Sequence, residues 1–492
     1  AGLKPVIGCE FYTCENMHEQ TGRNGSFNHL VLIAKNNVGY RNLVQLDSMA
    51  YVDGFYYKPR IDIETLKGHT EGVICLSACL AGRIPELLLQ GNYEEAKNYA
   101  IMLRDMFAPG DFYIELQDHG IEEQRRVNPL LVKIAREIGV KVVATNDVHY
   151  AEREDAEMHD VMLCIQTGKT IDDPERMRFE TDQFYLKTYE EMMQTFSWCP
   201  EAVTNTVEVM EKCDVVIEKQ DLQPPYVAED GSSSPDYLRR MAYKGLEWRY
   251  GTITPEIRQR AERELEVIIT KGFADYYLVV WDFINYARTH GIPVGAGRGS
   301  GVGSIIAYAI RITDVDPLKY NLLFERFLNP ERESPPDFDV DFCYERRGEV
   351  IEYVTRKYGS DKVCQILALG TMKAKAAIKK IARVYNVPLA DVNKLTKTIA
   401  NNPKVTLANV FHKSEKEDEV KLYSPEAVEV YNTDPMMRQV IDMAYKLEAM
   451  PCNCSKHAAG VVICKEVISD YVPLQRNGED ITTQFQKEEV EE

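Results

Sequence analysis

The chain has 492 residues, 45% hydrophobic, 27% charged and 10% aromatic, an ordinary globular composition that excludes disordered and collagen-like architectures and suggests about three domains. No apolar run approaches the ~18 residues needed to cross a bilayer, no signal peptide opens the chain, and its 12 cysteines form no regular framework, so a reduced, cytoplasmic setting is expected. With 58 basic against 77 acidic residues, the net charge of −19 opposes nucleic-acid binding on average, although a binding site is local.

Short apolar runs alternate with amphipathic segments over the first two hundred residues. Strands are expected over 73–76, 112–116 and 141–145. Helices are expected over 93–107 and 126–139, the second with Leu130, Leu131, Ile134 and Ile138 on one stripe. This spacing suggests a parallel α/β layer or barrel. Potential metal ligands lie at these strands: Glu10 closing the run 6–9, His29 opening 30–33, Cys79 after 73–76, and Asp147 and His149 after 141–145. Residues at strand ends of a barrel commonly build its site, and this donor set suits Zn²⁺, Mn²⁺ or Fe. Taken singly, each reads more readily as a satisfied polar residue than as a ligand.

Pro224-Pro225 and Gly231-Ser232-Ser233-Ser234-Pro235 mark a linker over 218–236. A capped helix follows, with Thr254 as N-cap, Pro255 in the first turn, Ile257, Ala261, Leu265 and Ile268 on one face, and Gly272 as the stop. Next, glycine recurs at every second position in Gly295-Ala296-Gly297-Arg298-Gly299-Ser300-Gly301-Val302-Gly303-Ser304, ahead of an apolar, helix-like run. Glycines let backbone N–H groups approach a phosphate, and Arg298 adds a fixed fork of donors. One Gly-x-Gly would be no more than a tight turn before a core helix; five alternating glycines with Arg and two Ser favour a phosphate role.

Pro336-Asp337-Phe338-Asp339-Val340-Asp341-Phe342 is the most informative stretch. Period-two alternation puts Asp337, Asp339 and Asp341 on one strand face and the apolar residues on the other. Carboxylates two apart are about 6–7 Å from each other along a strand and can share a hard cation such as Mg²⁺. The alternative is an edge strand with a solvated acidic face. Two carboxylates holding metals beside a phosphate loop is the arrangement of nucleotidyl transfer.

No acidic residue lies between Asp361 and Asp391, where Lys362, Lys373, Lys375, Lys379, Lys380 and Arg383 interleave with Ala and Ile. This reads as a half-buried basic helix that can follow a phosphate backbone, or else as a solvated face. Residues 389–450 read as polar and helical. Strand character returns over 455–463, where Lys456 and His457 precede apolar residues.

Gly297-Arg298-Gly299-Ser300, the run Phe324-Glu325-Arg326-Phe327-Leu328-Asn329-Pro330-Glu331-Arg332 and the aspartate stretch together resemble the palm of the C-family bacterial replicative DNA polymerases, the polymerase III alpha subunits. The likeness runs nearly end to end. It implies an α/β multidomain chain. A polymerase-and-histidinol-phosphatase (PHP) domain like a (β/α)₇ barrel fills 1–217. A polymerase-beta-like nucleotidyltransferase palm covers 237–370, a helical thumb 371–450, and a second palm part 451–492. The same likeness maps catalytic Mg²⁺ to Asp337 and Asp339, with Asp341 a further candidate. It maps the incoming dNTP to Ser300, Arg326 and Arg332, which join Arg298 and Gly299 of the glycine loop; Lys456 is a further candidate for a phosphate, and the basic stripe Lys373, Lys375, Lys379, Lys380 and Arg383 is the candidate grip on primer-template DNA. In the PHP domain it maps Zn²⁺ or Mn²⁺ to Glu10, His29, Cys79, Asp147 and His149.

The implied activity is template-directed DNA synthesis, with a possible 3′–5′ exonuclease or structural role for the PHP domain. The alternatives are a PHP-type metal phosphoesterase whose palm only positions DNA, and a non-enzymatic scaffold. A sliding clamp and other replicase subunits are expected partners, and a membrane is not. Because the chain begins at Ala1 without Met, ends on an acidic run, and shows no third carboxylate strand, it reads as a piece expected not to polymerise DNA alone.

Overall fold

The computed structural model describes residues 2–20, 27–329, 331, 336–414 and 420–491. They form two compact units: one from 1–217, 367–457 and 472–492, the other from 218–366 and 458–471. Among the described residues no helix is long and apolar enough to cross a membrane.

The first unit is built on six strands: β1 Gly8–Cys14, β2 Asn28–Ala34, β3 Arg60–Asp62, β4 Val73–Leu76, β5 Phe112–Leu116 and β6 Lys141–Ala144. Their order is β3-β1-β2-β4-β5-β6. β4, β5 and β6 pair in parallel, and β4 and β5 are buried throughout, as is usual for parallel strands. β2 runs antiparallel to both β1 and β4. Among the described residues these six strands make a mixed layer with β3 and β6 at its edges. The reversed β2 breaks the βα alternation that a regular barrel repeats.

Helix Glu122–Ile138 covers this layer with Val127, Leu131, Ile134 and Ile138 and ends at Gly139, whose φ of 72° suits a residue without Cβ. It begins four residues before the sequence pattern suggests. Helix Asn37–Val52 takes its N-cap from Asn36.

The same unit contains the helices Ala374–Val384, Leu389–Thr398, Leu407–Phe411, Pro425–Thr433 and Pro435–Leu447. Met437, Val440, Ile441, Ala444 and Leu447 repeat at helical spacing and pack on Ala377, Ile378 and Ile381. Val161 and Cys164, from helix Ala156–Thr167, complete this core. The main chain joins as well, since Ile171 N donates to Val384 O at 3.0 Å.

Four more strands, β7 Val363–Thr371, β8 Pro451–Ile463, β9 Leu474–Asn477 and β10 Asp480–Thr483, form a sheet in the order β8-β7-β10-β9. β7 and β8 contribute residues to both units. The hairpin β9–β10 turns on Gly478-Glu479, with Gly478 at φ 66°. Leu474 N donates to Ser48 Oγ at 3.0 Å, and Gln484 Nε2 donates to Asp47.

The second unit is mainly helical: Ser234–Tyr250, Pro255–Thr270, Ala274–Thr289 and Arg347–Tyr358. Its core holds Leu238, Ala242, Leu246, Leu265, Ile268, Leu278, Ile305 and Ile306. Thr254 Oγ1 caps its helix by accepting from Ile257 N at 3.3 Å. Ser233 caps the preceding helix, so residues 234–236 leave the expected linker for the first turn. The apolar run after the glycine loop forms only one helical turn, Ile305–Ala309.

Candidate functional sites

In the first unit, Glu10 sits inside β1 rather than at its end. Tyr12 is the residue opposite His29 in the β1–β2 ladder, so Glu10 and His29 are diagonal neighbours on one face. His29 Nδ1 lies 2.9 Å from Glu10 Oε1. Cys79 Sγ, on the loop after β4, lies 3.4 Å from His29 Nδ1 and 3.9 Å from Glu10 Oε1. All three donor atoms fall within 4.8 Å of one another. The His29 hydrogen bond holds the Glu10 carboxyl below its usual range. Burial pushes the Cys79 thiol up to about 12, so a cation must displace its proton to bind sulfur. A carboxylate, an imidazole and a thiol at this spacing fit Zn²⁺ or Mn²⁺.

Asp147 and His149 stand beside this trio without joining its 4.8 Å sphere. His149 Nδ1 is 2.7 Å from Asp147 O, which leaves Nε2 as the ring nitrogen available to a cation. Burial raises the Asp147 carboxyl, and the charges of Glu10, His29 and His149 all act on it. The sequence reading missed two buried polar neighbours. Glu115, in β5, is 3% exposed, and burial pushes its carboxyl up to about 7. His119 stacks on Phe184 at 3.9 Å and places Nε2 2.8 Å from Asn146 O. A glutamate inside the otherwise apolar Phe-Tyr-Ile-Glu-Leu was the available signal, since a buried charge must be held by partners.

In the second unit, the glycine loop lies against the aspartate stretch. Gly295 N donates to Asp341 O at 2.8 Å, and Val294 bridges Phe342 antiparallel. The expected strand has only this bridge, yet its alternation is kept: Asp337, Asp339 and Asp341 are exposed while Phe338, Val340 and Phe342 pack inward. Three of the five glycines are explained by that packing. A Cβ on Gly301 would lie 2.6 Å from the Phe338 ring, on Gly299 3.2 Å from Asp339 Oδ2, and on Gly295 3.0 Å from Asp341 Cβ. Gly297 and Gly299 also hold positive φ, 115° and 67°.

Arg298 lies 3.4 Å from Asp339 Oδ1 and 3.3 Å from Asp341 Oδ1. Its guanidinium therefore bridges the second and third acids, whereas the resemblance singles out the first two. The start of the Ile305–Ala309 turn is already taken. Ser304 Oγ accepts from Ala307 N at 3.1 Å, and buried Glu264 accepts from Ile306 N at 3.3 Å and from Ser304 Oγ at 2.9 Å. Arg260 holds Glu264 at 2.6 Å and also donates to Gly303 O. Any phosphate donors must therefore come from residues 296–300 rather than from this helix end. Glu264 was missed, because Ser304 and Ile306 lie 40 and 42 residues away in the chain.

Ser300 opens the short helical turn Ser300–Gly303, and Arg326 is exposed at the end of another. Arg332 lies outside the described residues. Lys456 belongs to the first unit, where Asp480 engages it at 2.6 Å.

Helix Ala374–Val384 buries Ala374, Ala377, Ile378, Ile381 and Ala382. Lys373, Lys379 and Arg383 are exposed, and Lys375 and Lys380 half-buried. Among the described residues none of these five cations forms an ion pair, although the chain is net acidic.

Comparison with known proteins adds to this geometry. The model of the bacterial DNA polymerase III alpha NTPase domain matches residues 236–492, and that of the PHP domain matches residues 1–119. The DNA polymerase III subunit alpha of Treponema pallidum is 47% identical over 500 residues, covering 100% of this chain and 42% of that protein. The Borreliella burgdorferi subunit is likewise 47% identical with the same coverage. The Escherichia coli K12 subunit is 40% identical over 505 residues, again covering 100% and 42%. The chain thus spans about two-fifths of the length of these curated relatives.

Proposed function

The chain belongs to the bacterial DNA polymerase III alpha family, and from that premise we propose that it carries the dNTP- and metal-binding half of a template-directed DNA polymerase. The observation that carries this reading is the exposed row Asp337, Asp339 and Asp341 packed against the glycine loop. Asp337 and Asp339 would hold Mg²⁺, which supplies Lewis-acid stabilisation of the attacking primer 3′-hydroxyl and the leaving pyrophosphate. Arg298 then turns from the aspartates to phosphate oxygens, for which its planar fork is suited. Backbone N–H groups around Gly299 and Ser300 orient the triphosphate, with Arg326 and Arg332 as further cations for its oxygens. Lys373, Lys375, Lys379, Lys380 and Arg383 grip the primer-template backbone.

On this reading 1–217 is the PHP domain, 218–236 the linker, 237–370 and 451–492 the two palm parts, and 371–450 the thumb. The barrel of the PHP domain and the thumb arrangement are part of the same proposal. So are contacts of the whole protein with a sliding clamp and other replicase subunits, and a cytoplasmic setting.

A second activity is favoured by one observation, the convergence of Glu10, His29 and Cys79. With Asp147 and His149, these residues would bind Zn²⁺ or Mn²⁺ for phosphoester hydrolysis, as a 3′–5′ exonuclease requires. Primer extension by the full-length parent, with and without Mg²⁺, tests the main reading. Asp337→Asn or Asp339→Asn should lower incorporation by orders of magnitude, since a lost metal ligand removes several kcal/mol of transition-state stabilisation. Near-normal extension by both would overturn it. Hydrolysis without dNTP dependence would favour the second activity as the principal one, and neither extension nor hydrolysis would leave a scaffold.

A further inference from the structure

We propose that Glu115 is the positioning residue of the metal constellation: its buried carboxylate holds together the two loops that present Cys79 and Asp147. The inference rests on the reading of Glu10, His29 and Cys79 as a metal site.

β5 lies between β4 and β6 in the sheet. β4 runs into Ser77-Ala78-Cys79 and β6 into Thr145-Asn146-Asp147. Glu115 reaches both loops from the middle strand. Its Oε2 accepts from Ala78 N at 2.9 Å. Its Oε1 accepts from Thr145 Oγ1 and from Gln117 Nε2, the latter at 3.1 Å. Its own N–H donates to Ser77 Oγ at 2.8 Å. One side chain thus spans the sheet beneath the ligands, with both oxygens occupied by protein donors rather than directed at a cation.

Two features show that this linkage serves more than packing. Ala78 and Asp147, one in each loop, hold left-handed φ values of 65° and 43°. Such conformations are unfavourable for non-glycine residues and persist only where the surroundings over-determine them. Gln117, 7% exposed, turns its amide nitrogen to Glu115 and to Thr145 Oγ1, leaving its own Oε1 buried without a partner among the described residues. A network that leaves an acceptor unpaired is a poor way to stabilise a core, where leucine or isoleucine would serve. It is an economical way to fix two loops at once, and groups that orient metal ligands contribute to affinity without touching the metal.

The test is Co²⁺ titration of the 492-residue chain, reading the thiolate-to-cobalt charge-transfer band, with Cys79→Ser as the control that removes it. Glu115→Gln keeps the volume but turns an amide toward groups that themselves donate. It should weaken Co²⁺ binding by about 10–100-fold and diminish the band, with far-UV circular dichroism unchanged. A merely structural role would lower the unfolding temperature and leave the band and the affinity alone, and that result would overturn the proposal while the metal site stands. A wild-type chain without a Cys79-dependent band would overturn the metal reading, and this inference with it. If Glu115→Gln does not fold, Thr145→Val decides: it removes one donor to Oε1, and several-fold weaker Co²⁺ binding supports the proposal, whereas wild-type affinity overturns it.

Discussion

Adding one methyl group at Gly301 should damage the aspartate site without touching an aspartate. A Cβ built there lies 2.6 Å and 2.8 Å from two carbons of the Phe338 ring. Carbon atoms in contact sit about 3.5–4.0 Å apart, so roughly 1 Å must open. The ring is half-buried, with three aromatic neighbours limiting its retreat. It is wedged by Phe327 at 4.5 Å, Tyr277 at 5.1 Å and Tyr276 at 5.8 Å between centroids, and Phe338 N donates to Tyr276 Oη at 2.9 Å. Overpacking of this kind costs about 1–3 kcal/mol. Phe338 lies between Asp337 and Asp339 in the chain, so its backbone carries the shift to both carboxylates. A displacement of about 1 Å at reacting groups can cost on the order of 100-fold in rate. Gly301→Ala should therefore lower both thermal stability and primer extension, measured in the full-length parent. Phe338→Leu added to Gly301→Ala should recover much of the lost stability, because the pair is in contact and non-additive. Wild-type stability and extension in the single variant, or purely additive losses in the double, would refute the reasoning.

Gly348, in the first turn of Arg347–Tyr358, has nothing within 4 Å of a built Cβ, so Gly348→Ala should stabilise by about 0.5–1 kcal/mol in chemical denaturation. Lys379→Glu with Arg383→Glu should leave folding intact, since both cations are exposed, and should weaken DNA binding. In fluorescence anisotropy the slope of log affinity against log salt should fall by about 1 per lost phosphate contact, and an unchanged slope would remove this helix from the interface. Burial raises Asp47 from 3.8 to about 6 despite the hydrogen bond from Gln484. The folded chain therefore binds that proton more tightly than the unfolded one, and stability from this group is lost as pH rises from about 4 through 6. Asp47→Asn, which can still accept from Gln484, should stabilise the chain at pH 8 by at most about 2–3 kcal/mol and have little effect near pH 4, as thermal unfolding at the two pH values would show.

Much of the fold could be read from local pattern. β4 and β5 match their apolar runs, and the Thr254-Pro255 signal marks the start of its helix. The alternation through Phe342 predicted which side chains face the core, because an extended backbone alternates whether or not a ladder forms. What the pattern could not carry is partnership at a distance. Nothing near Glu264 announces Ser304 and Ile306, and nothing near Val161 announces the Ala374–Val384 helix. Sheet order was equally hidden, since the antiparallel sense of β2 depends on a pairing, not a period. Among the site residues, Glu10, His29 and Cys79 converge, while the partner of Arg298 came out as Asp339 with Asp341.

The bonds from Leu474 and Gln484 back to Ser48 and Asp47 join residues 426 and 437 positions apart. At synthesis rates of about 5–20 residues per second, the helix that receives them waits roughly 20–90 s on the ribosome before its partners emerge. The first unit therefore cannot complete its structure in the order in which it is made. Its nascent form presents the Asn37–Val52 helix without its later cover, and Asp47 and Ser48 are polar enough to stand in water during that interval. Removing residues 472–492 would consequently expose part of the amino-terminal unit, so such a truncation should act as a folding lesion in a region hundreds of residues from the cut.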